Sequence, residues 1–318
     1  MRRFAVVLTA TLTAGSALAA ELPCAQVRLV VPYPAGGATD VAARVVSERL
    51  EASLKKSVII ETRPGATGNI GTIAVINSKP DGCTLLVNAA VIATFPYSFS
   101  KLNYDPIKDL VPIGGIGVTP TLLIAAPSVP ANDIKELVQL SKDRPSGLNF
   151  ATAGYGLLQH LAVEEIAQRA GAKFTHVVYK GGGQATTDLI TARIDFGSFA
   201  AGTVNPFLQD RKLKALAVVQ DKRSALVPDV ATTAEQGLPG LNAGVHFMIF
   251  APAATPKDVV AMLSTELSKL VGEPAMKERL LKIGFDPTPI SSDETAEIVR
   301  KTGETWAPLI KRLNIKLD

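Results

Sequence analysis

Short apolar, β-branched runs that alternate with longer amphipathic stretches constrain this chain most, because two periodicities in regular alternation leave few folds open. Val27-Arg-Leu-Val-Val31 reads as a buried strand, and residues 39–54 as a helix with Val41, Val45, Val46 and Leu50 on one face. Residues 57–61 give a second strand. Residues 70–77 give a short helix, closed by the turn Lys79-Pro-Asp-Gly82, and residues 84–88 a third strand. This βαβαβ order with short connections predicts a mostly parallel, doubly wound α/β sheet. The middle third repeats the pattern, with strands at 122–126, 148–152, 176–179, 195–199 and 213–219. Helices are expected from Asn132 or Asp133 to 140, over 154–169, and from Gly183 to 192. A strand at 245–251, a helix at 256–271, a short helix from Pro274, a strand-like 285–289 and a last helix near 293–313 complete the chain.

About 300 residues is long for one hydrophobic core, so two domains are expected. No low-complexity linker divides them, which implies that the chain crosses between them more than once. The apolar segments 122–126 and 245–251, each followed by a proline (Pro127, Pro252), are the expected crossings. The predicted organisation is domain 1 from 21–123 plus 246–318, and domain 2 from 124–245.

The first twenty residues have the layout of a secretory signal peptide: Arg2 and Arg3, an apolar run 4–12, then a small-residue stretch ending in an Ala-x-Ala pattern. The apolar part is too short to anchor permanently in a bilayer, and no other stretch is long enough. Export to the periplasm is the expectation. Without Arg2 and Arg3 the chain has 31 basic residues against 29 acidic, a formal net charge of +2. Neither that balance nor any basic run interleaved with aromatics points to nucleic acid.

Two cysteines in an oxidising compartment favour a bridge over two free thiols. Cys24 and Cys83 each directly precede a predicted strand, and would lie at the same end of one sheet if those strands are neighbours.

Tyr33-Pro-Ala-Gly-Gly-Ala-Thr-Asp40 follows the first strand and opens the first helix. Thr39 or Asp40 can cap that helix, whose free N–H groups then face an anion. It lacks the Gly-Lys-Ser/Thr end of a P-loop and any Gly-x-Gly-x-x-Gly, so a carboxylate is the natural guest. Asn149-Phe-Ala-Thr-Ala-Gly-Tyr-Gly156 repeats the device, with Thr152 as a donor, Tyr155 as a cover and a helix running through His160. Two such helix N-termini across a cleft suit a trapped anion. A third turn, Arg63 to Gly71, reads as structural packing with a rim contact. In Tyr179-Lys-Gly-Gly-Gly-Gln184, Lys180 reads as a solvated strand-end lysine.

Catalytic signatures are scarce. None of His160, His176 and His246 has a histidine or cysteine at metal-ligand spacing, and no Gly-x-Ser-x-Gly elbow occurs. No metal, no cofactor and no enzymatic activity are expected.

The blocks Leu29 to Asp40, Glu61 to Gly71, Lys79 to Gly82, Tyr104 to Asp109, Tyr179 to Gly181, Pro228 to Val230 and Glu235 to Pro239 resemble, in order and across the chain after residue 20, the tripartite tricarboxylate transporter substrate-binding proteins (the Bug family). The resemblance implies two α/β domains joined by two crossing strands, a type II periplasmic-binding-protein or Venus-flytrap architecture closing on small organic acids. By position, Tyr33, Ala35, Gly36, Gly37, Thr39 and Asp40 would hold the ligand carboxylate, partly through water. Thr152, Gly154, Tyr155, Gly156 and His160 would meet it from the other domain, with Lys180 and Gly181 in a matching turn. Two departures stand out. Where many relatives read Phe-Asp-Asn, this chain has Ser198-Phe199-Ala200. Where a Thr- or Ser-rich turn is common, it has Asn88-Ala-Ala-Val-Ile-Ala93. With Phe199 and Ala200 in the expected wall, a buried ammonium would lack its partner. A carboxylate without an amino group is therefore expected.

The leading expectation is a monomeric receptor delivering its ligand to a two-component membrane permease. The alternatives are a sensory binding protein presenting ligand to a membrane receptor kinase and, behind it, a periplasmic enzyme.

Overall fold

The computed structural model describes residues 21–179 and 182–317, so the expected signal peptide lies outside the described residues, as do Lys180 and Gly181. The chain runs β1 (Gln26–Val31), α1 (Ala38–Leu54), β2 (Ser57–Thr62), α2 (Asn69–Ile76), β3 (Thr84–Ala89), α3 (Phe95–Ser98), β4 (Leu110–Thr119) and β5 (Thr121–Ala125). It continues with α4 (Ile134–Asp143), β6 (Leu148–Thr152), α5 (Leu158–Ala170), β7 (Phe174–Val178), α6 (Gly182–Ile190), β8 (Phe196–Ala200), α7 (Ala201–Gln209) and β9 (Lys214–Val218). Then come β10 (Val245–Pro252), α8 (Lys257–Gly272), α9 (Pro274–Lys282), β11 (Asp286–Pro287) and α10 (Ser292–Arg312).

These strands form two sheets, ordered β11-β4-β10-β3-β1-β2 and β7-β6-β8-β5-β9. In each, a parallel set abuts antiparallel strands: β1 lies parallel to β2 and β3, and β10 runs antiparallel between β3 and β4. In the second sheet β6 lies parallel to β7 and β8, and β5 runs antiparallel between β8 and β9. All six residues of β3 are buried, four of them apolar, as expected of a strand covered on both faces. Helix α1 lays Ala42, Val45, Val46 and Leu50 on one face of the first sheet, and α4 is capped by Asp133, whose side chain accepts from the Glu136 N–H.

The ten-residue β4 escapes the sequence pattern because Gly114, Gly115 and Gly117 interrupt its apolar run. The fold explains Gly115: a Cβ there would stand 2.7 Å from the Thr288 carbonyl oxygen. β4 and β5 are one extended passage broken at Pro120, so the switch between sheets falls there, ahead of the expected boundary at 123, and β5 lies wholly in the second sheet. The chain returns just before β10. A third connection is helical: Val299 of α10 packs with the first sheet's core, whereas Trp306, Leu309 and Ile310 pack with Phe150 and Phe196 of the second. α5 begins at Leu158, not at 154, because Gly156 has a positive φ of 75°, which a helix cannot pass through.

Cys24 and Cys83 form a disulfide, their Cα atoms 6.2 Å apart, at the neighbouring starts of β1 and β3. Among the described residues no helix is long and apolar enough to cross a membrane.

Candidate functional site

The first loop is built from the end of β1. Gly37, in extended backbone, occupies the N-cap of α1, and no side chain caps the helix. Neither Thr39 nor Asp40 caps as the sequence suggests. Asp40 instead reaches back out of the first turn: its Oδ2 accepts from the Gly36 N–H at 2.9 Å and from Arg44 Nε at 2.8 Å. The hydrogen bond from Arg44 holds this buried carboxyl below the usual carboxylate range. The Asp40 charge is thus neutralised and spent on shaping the loop, whereas Ala35, Gly36 and Gly37 are exposed. The amide groups at the start of α1 remain to attract an anion.

Beneath this loop lies a polar cluster. Tyr33 donates its hydroxyl to Asn88 Oδ1 at 3.4 Å, and burial pushes that hydroxyl up to about 12. Asn88 is fully buried, its Oδ1 also accepting from the Ala89 N–H and its Nδ2 donating to Thr72 Oγ1. Tyr104 donates to Asn69 Oδ1 at 2.8 Å. The third glycine turn therefore props the first loop through α2: a Cβ on Gly68 would meet the Tyr33 ring at 3.0 Å.

The second loop leaves the end of β6. Thr152 is fully buried and donates to the Gly154 carbonyl at 2.9 Å, and His176 Nε2 stands 2.7 Å from the same hydroxyl oxygen. With the threonine proton on Gly154, the imidazole supplies its own at Nε2. His160, also buried, accepts the Gly156 N–H at Nδ1 and places Nε2 3.5 Å from Glu164. Four rings stack in sequence: Phe150 on His176 at 4.7 Å, His176 on His160 at 4.0 Å, and His160 beside Tyr155 at 5.0 Å. Burial, and then the neighbouring His160, push His176 down to about 4, so it is neutral near pH 7. The two histidines come from different elements, α5 and β7, and their pairing is not visible in sequence spacing. Among the described residues no group of three ligating side chains completes a metal site around them.

These contacts change the roles expected for several residues. Asp40, Thr152 and His160 are buried and hydrogen-bonded to loop backbone, so they shape the loops, while Asp40 Oδ1 is buried without a hydrogen bond among the described residues. Phe199 is not pocket wall: at 1% exposure it lies in the second sheet's core beside Leu189, facing away from the half-buried Ala200. The stretch after β3 is likewise not a wall, since Ala90, Ile92 and Ala93 form a buried 3-10 turn under α10. Tyr155 rests its ring beside His160 and is 45% exposed. Ile70 on the first lobe, with Leu157 and Val178 on the second, joins it among the exposed large apolar side chains. Each lobe thus carries a helix start without a side-chain cap and exposed apolar side chains. His176 and Arg44 are supporting residues that the motifs did not single out, and Asn88 entered only as the start of a departing block.

A model of the family described as tripartite tricarboxylate transporter family receptor matches residues 42–315. Protein BugT of Bordetella pertussis is 31% identical over 297 residues, covering 93% of this chain and 91% of BugT. A structure of Rpa4515 from R. palustris with adipate is 29% identical, with a TM-score of 0.76 over 92% of this chain and 98% of that one. MatC of Rhodopseudomonas palustris with bound malate is 30% identical, with a TM-score of 0.69 over 90% of this chain and 98% of that one.

Proposed function

The chain belongs to the tripartite tricarboxylate transporter family of receptors, and from that premise we propose that it is a periplasmic receptor for a small organic carboxylate lacking an amino group. Its fold is that of periplasmic binding proteins, and the adipate and malate in the two relatives set the chemical class. The observation that carries the reading is the pair of loops at the starts of α1 and α5, each fastened by buried side chains to its own backbone. Such loops present amides without rearrangement, which favours a carboxylate held between two helix N-termini. Asp40 is paired through Oδ2 with Arg44, which weakens its pull on an ammonium. Apolar Ile70, Tyr155, Leu157 and Val178 suit an aliphatic or aromatic body. Closure of the two lobes then traps the acid, and the closed monomer delivers it to a two-component membrane permease.

A thermal-shift series on the protein lacking residues 1–20 tests this, with dicarboxylates, tricarboxylates, aromatic acids and amino acids. A ligand at 100 times its dissociation constant adds roughly 2.7 kcal/mol. Stabilisation by amine-free acids recovered unchanged supports the reading. Stabilisation by amino acids alone, by no acid, or by one that is consumed overturns it.

A further inference from the structure

The loop that leaves β6 is held at both ends by imidazoles that enter from different elements, His176 from β7 and His160 from α5. The two contacts use different ring atoms. At the loop's start, the Thr152 hydroxyl donates to the Gly154 carbonyl at 2.9 Å and accepts the Gly154 N–H at 3.4 Å. One lone pair is left, and it faces His176 Nε2 at 2.7 Å, so that nitrogen carries the proton. At the loop's end, His160 Nδ1 accepts from the Gly156 N–H at 3.2 Å and so carries none. The His160 proton therefore sits on Nε2, which faces Glu164 Oε1 at 3.5 Å.

These contacts sort the loop's backbone groups. The Gly154 carbonyl, which would repel a carboxylate if it faced one, is tied to the buried Thr152 hydroxyl. The Gly156 N–H is tied to His160, which fixes the backbone at the one residue of the loop with a positive φ, 75°. The N–H groups of Tyr155 and Leu157 donate to no acceptor among the described residues and are the ones left for an anion. The two rings lie 4.0 Å apart at 16°, with Phe150 backing His176 at 4.7 Å, so the supports at the two ends move together.

We propose that His160 and His176 are a matched pair of positioning residues for ligand capture, His176 acting as a donor at Nε2 and His160 as an acceptor at Nδ1. The inference rests on the reading of this loop as one half of the carboxylate site, and deepens it by naming the groups that set its amides. Its consequence is tautomeric: both rings carry their proton on Nε2. A side chain that reproduces only one ring nitrogen then suits one position and fails at the other. Asparagine puts its amide oxygen where His160 has Nδ1, whereas glutamine puts its amide nitrogen where His176 has Nε2.

The first readout needs no ligand, so its failure is distinct from failure of the carboxylate reading. Imidazole nitrogen NMR at about pH 8 is expected to show the Nε2–H tautomer at both histidines. Amide exchange at Gly156 is expected to be roughly tenfold faster in His160→Gln than in His160→Asn, the cost of one hydrogen bond. The second readout is calorimetric titration with adipate. His160→Asn should bind roughly tenfold tighter than His160→Gln, and His176→Gln roughly tenfold tighter than His176→Asn. Rings that only fill space would not give opposite preferences at the two positions. Melting curves identify the folded variants, and the variants at one position decide if one at the other does not fold. An Nδ1–H tautomer on either ring, equal Gly156 exchange in the two His160 variants, or the same preference at both positions overturns the pairing. If the parent does not bind adipate, the ligand-free readout alone decides.

Discussion

The imidazoles of His160 and His176 stack face to face, 4.0 Å between centroids and 16° between planes, and each holds one end of the same loop. His176 meets Thr152 at the loop's start, and His160 meets Gly156 at its end. His176, held neutral near pH 7 by burial, is the inner member of the stack, between Phe150 and His160.

Acid should therefore weaken the fold. Burial holds His176 and His246 at about 4, whereas an unfolded chain titrates them near 6.5. The unfolded chain binds these protons first, so their contribution to stability is complete above about pH 6.5 and is lost as pH falls toward 4. Melting temperatures across that window should drop, and His176→Asn and His246→Asn should each flatten the decline. Equal slopes in parent and variants would refute the assignment.

Asp40→Ala frees the Gly36 N–H and the Arg44 guanidinium together. The expected cost is about 1–3 kcal/mol of stability, with weaker binding of any carboxylate that stabilises the parent. Calorimetric titration alongside urea unfolding separates the two effects. Unchanged affinity in the variant would remove the loop from the site.

Gly156→Ala should be more damaging than its size suggests. The backbone sits at φ 75°, and the new Cβ would stand 2.9 Å from both Ile315 Cγ2 and Leu317 Cδ2. Left-handed strain and overpacking together predict a loss of about 2–4 kcal/mol. Urea denaturation measures it directly.

Ile70→Ser and Tyr155→Ser are expected to reduce affinity for acids with long apolar bodies more than for short ones. Each methylene that loses apolar cover costs at most about 0.8 kcal/mol. Comparing short and long dicarboxylates by titration gives the ratio, and an unchanged ratio would place the ligand's body elsewhere.

The Cys24–Cys83 bridge closes a sequence separation of 59 residues. A cross-link of that span is worth about 4 kcal/mol on chain-entropy grounds. Reduction, or a Cys24→Ala/Cys83→Ala double variant, should lower the denaturant midpoint accordingly. A change under about 1 kcal/mol would mean that the unfolded chain is already constrained there.

Much of the secondary structure was readable because it rests on local chemistry. The apolar run at 27–31, the Asp133 cap and the periodic face of α1 depend on near neighbours, and the structure places each where the pattern does. β4 was not readable. Its glycines answer to the 285–290 segment packed on it, a partner far away in sequence.

The sequence by itself determined the alternation of strand and helix, the glycine turns that open α1 and precede α5, and the blocks that carry the family. Those features are written in periodicity and in residues with unusual backbone freedom, so a linear reading finds them. Only the tertiary structure decided what the polar residues do. Asp40, Thr152 and His160 look like ligand contacts in the sequence, yet each turns inward to a backbone group that the fold brings within 3.2 Å. His176 was silent until β7 placed it against β6, and Ser224 met Asp286 only across two sheets. The physical reason is that a buried polar atom takes the partner that folding places beside it. That partner is set by packing over long sequence distances, not by the residues on either side.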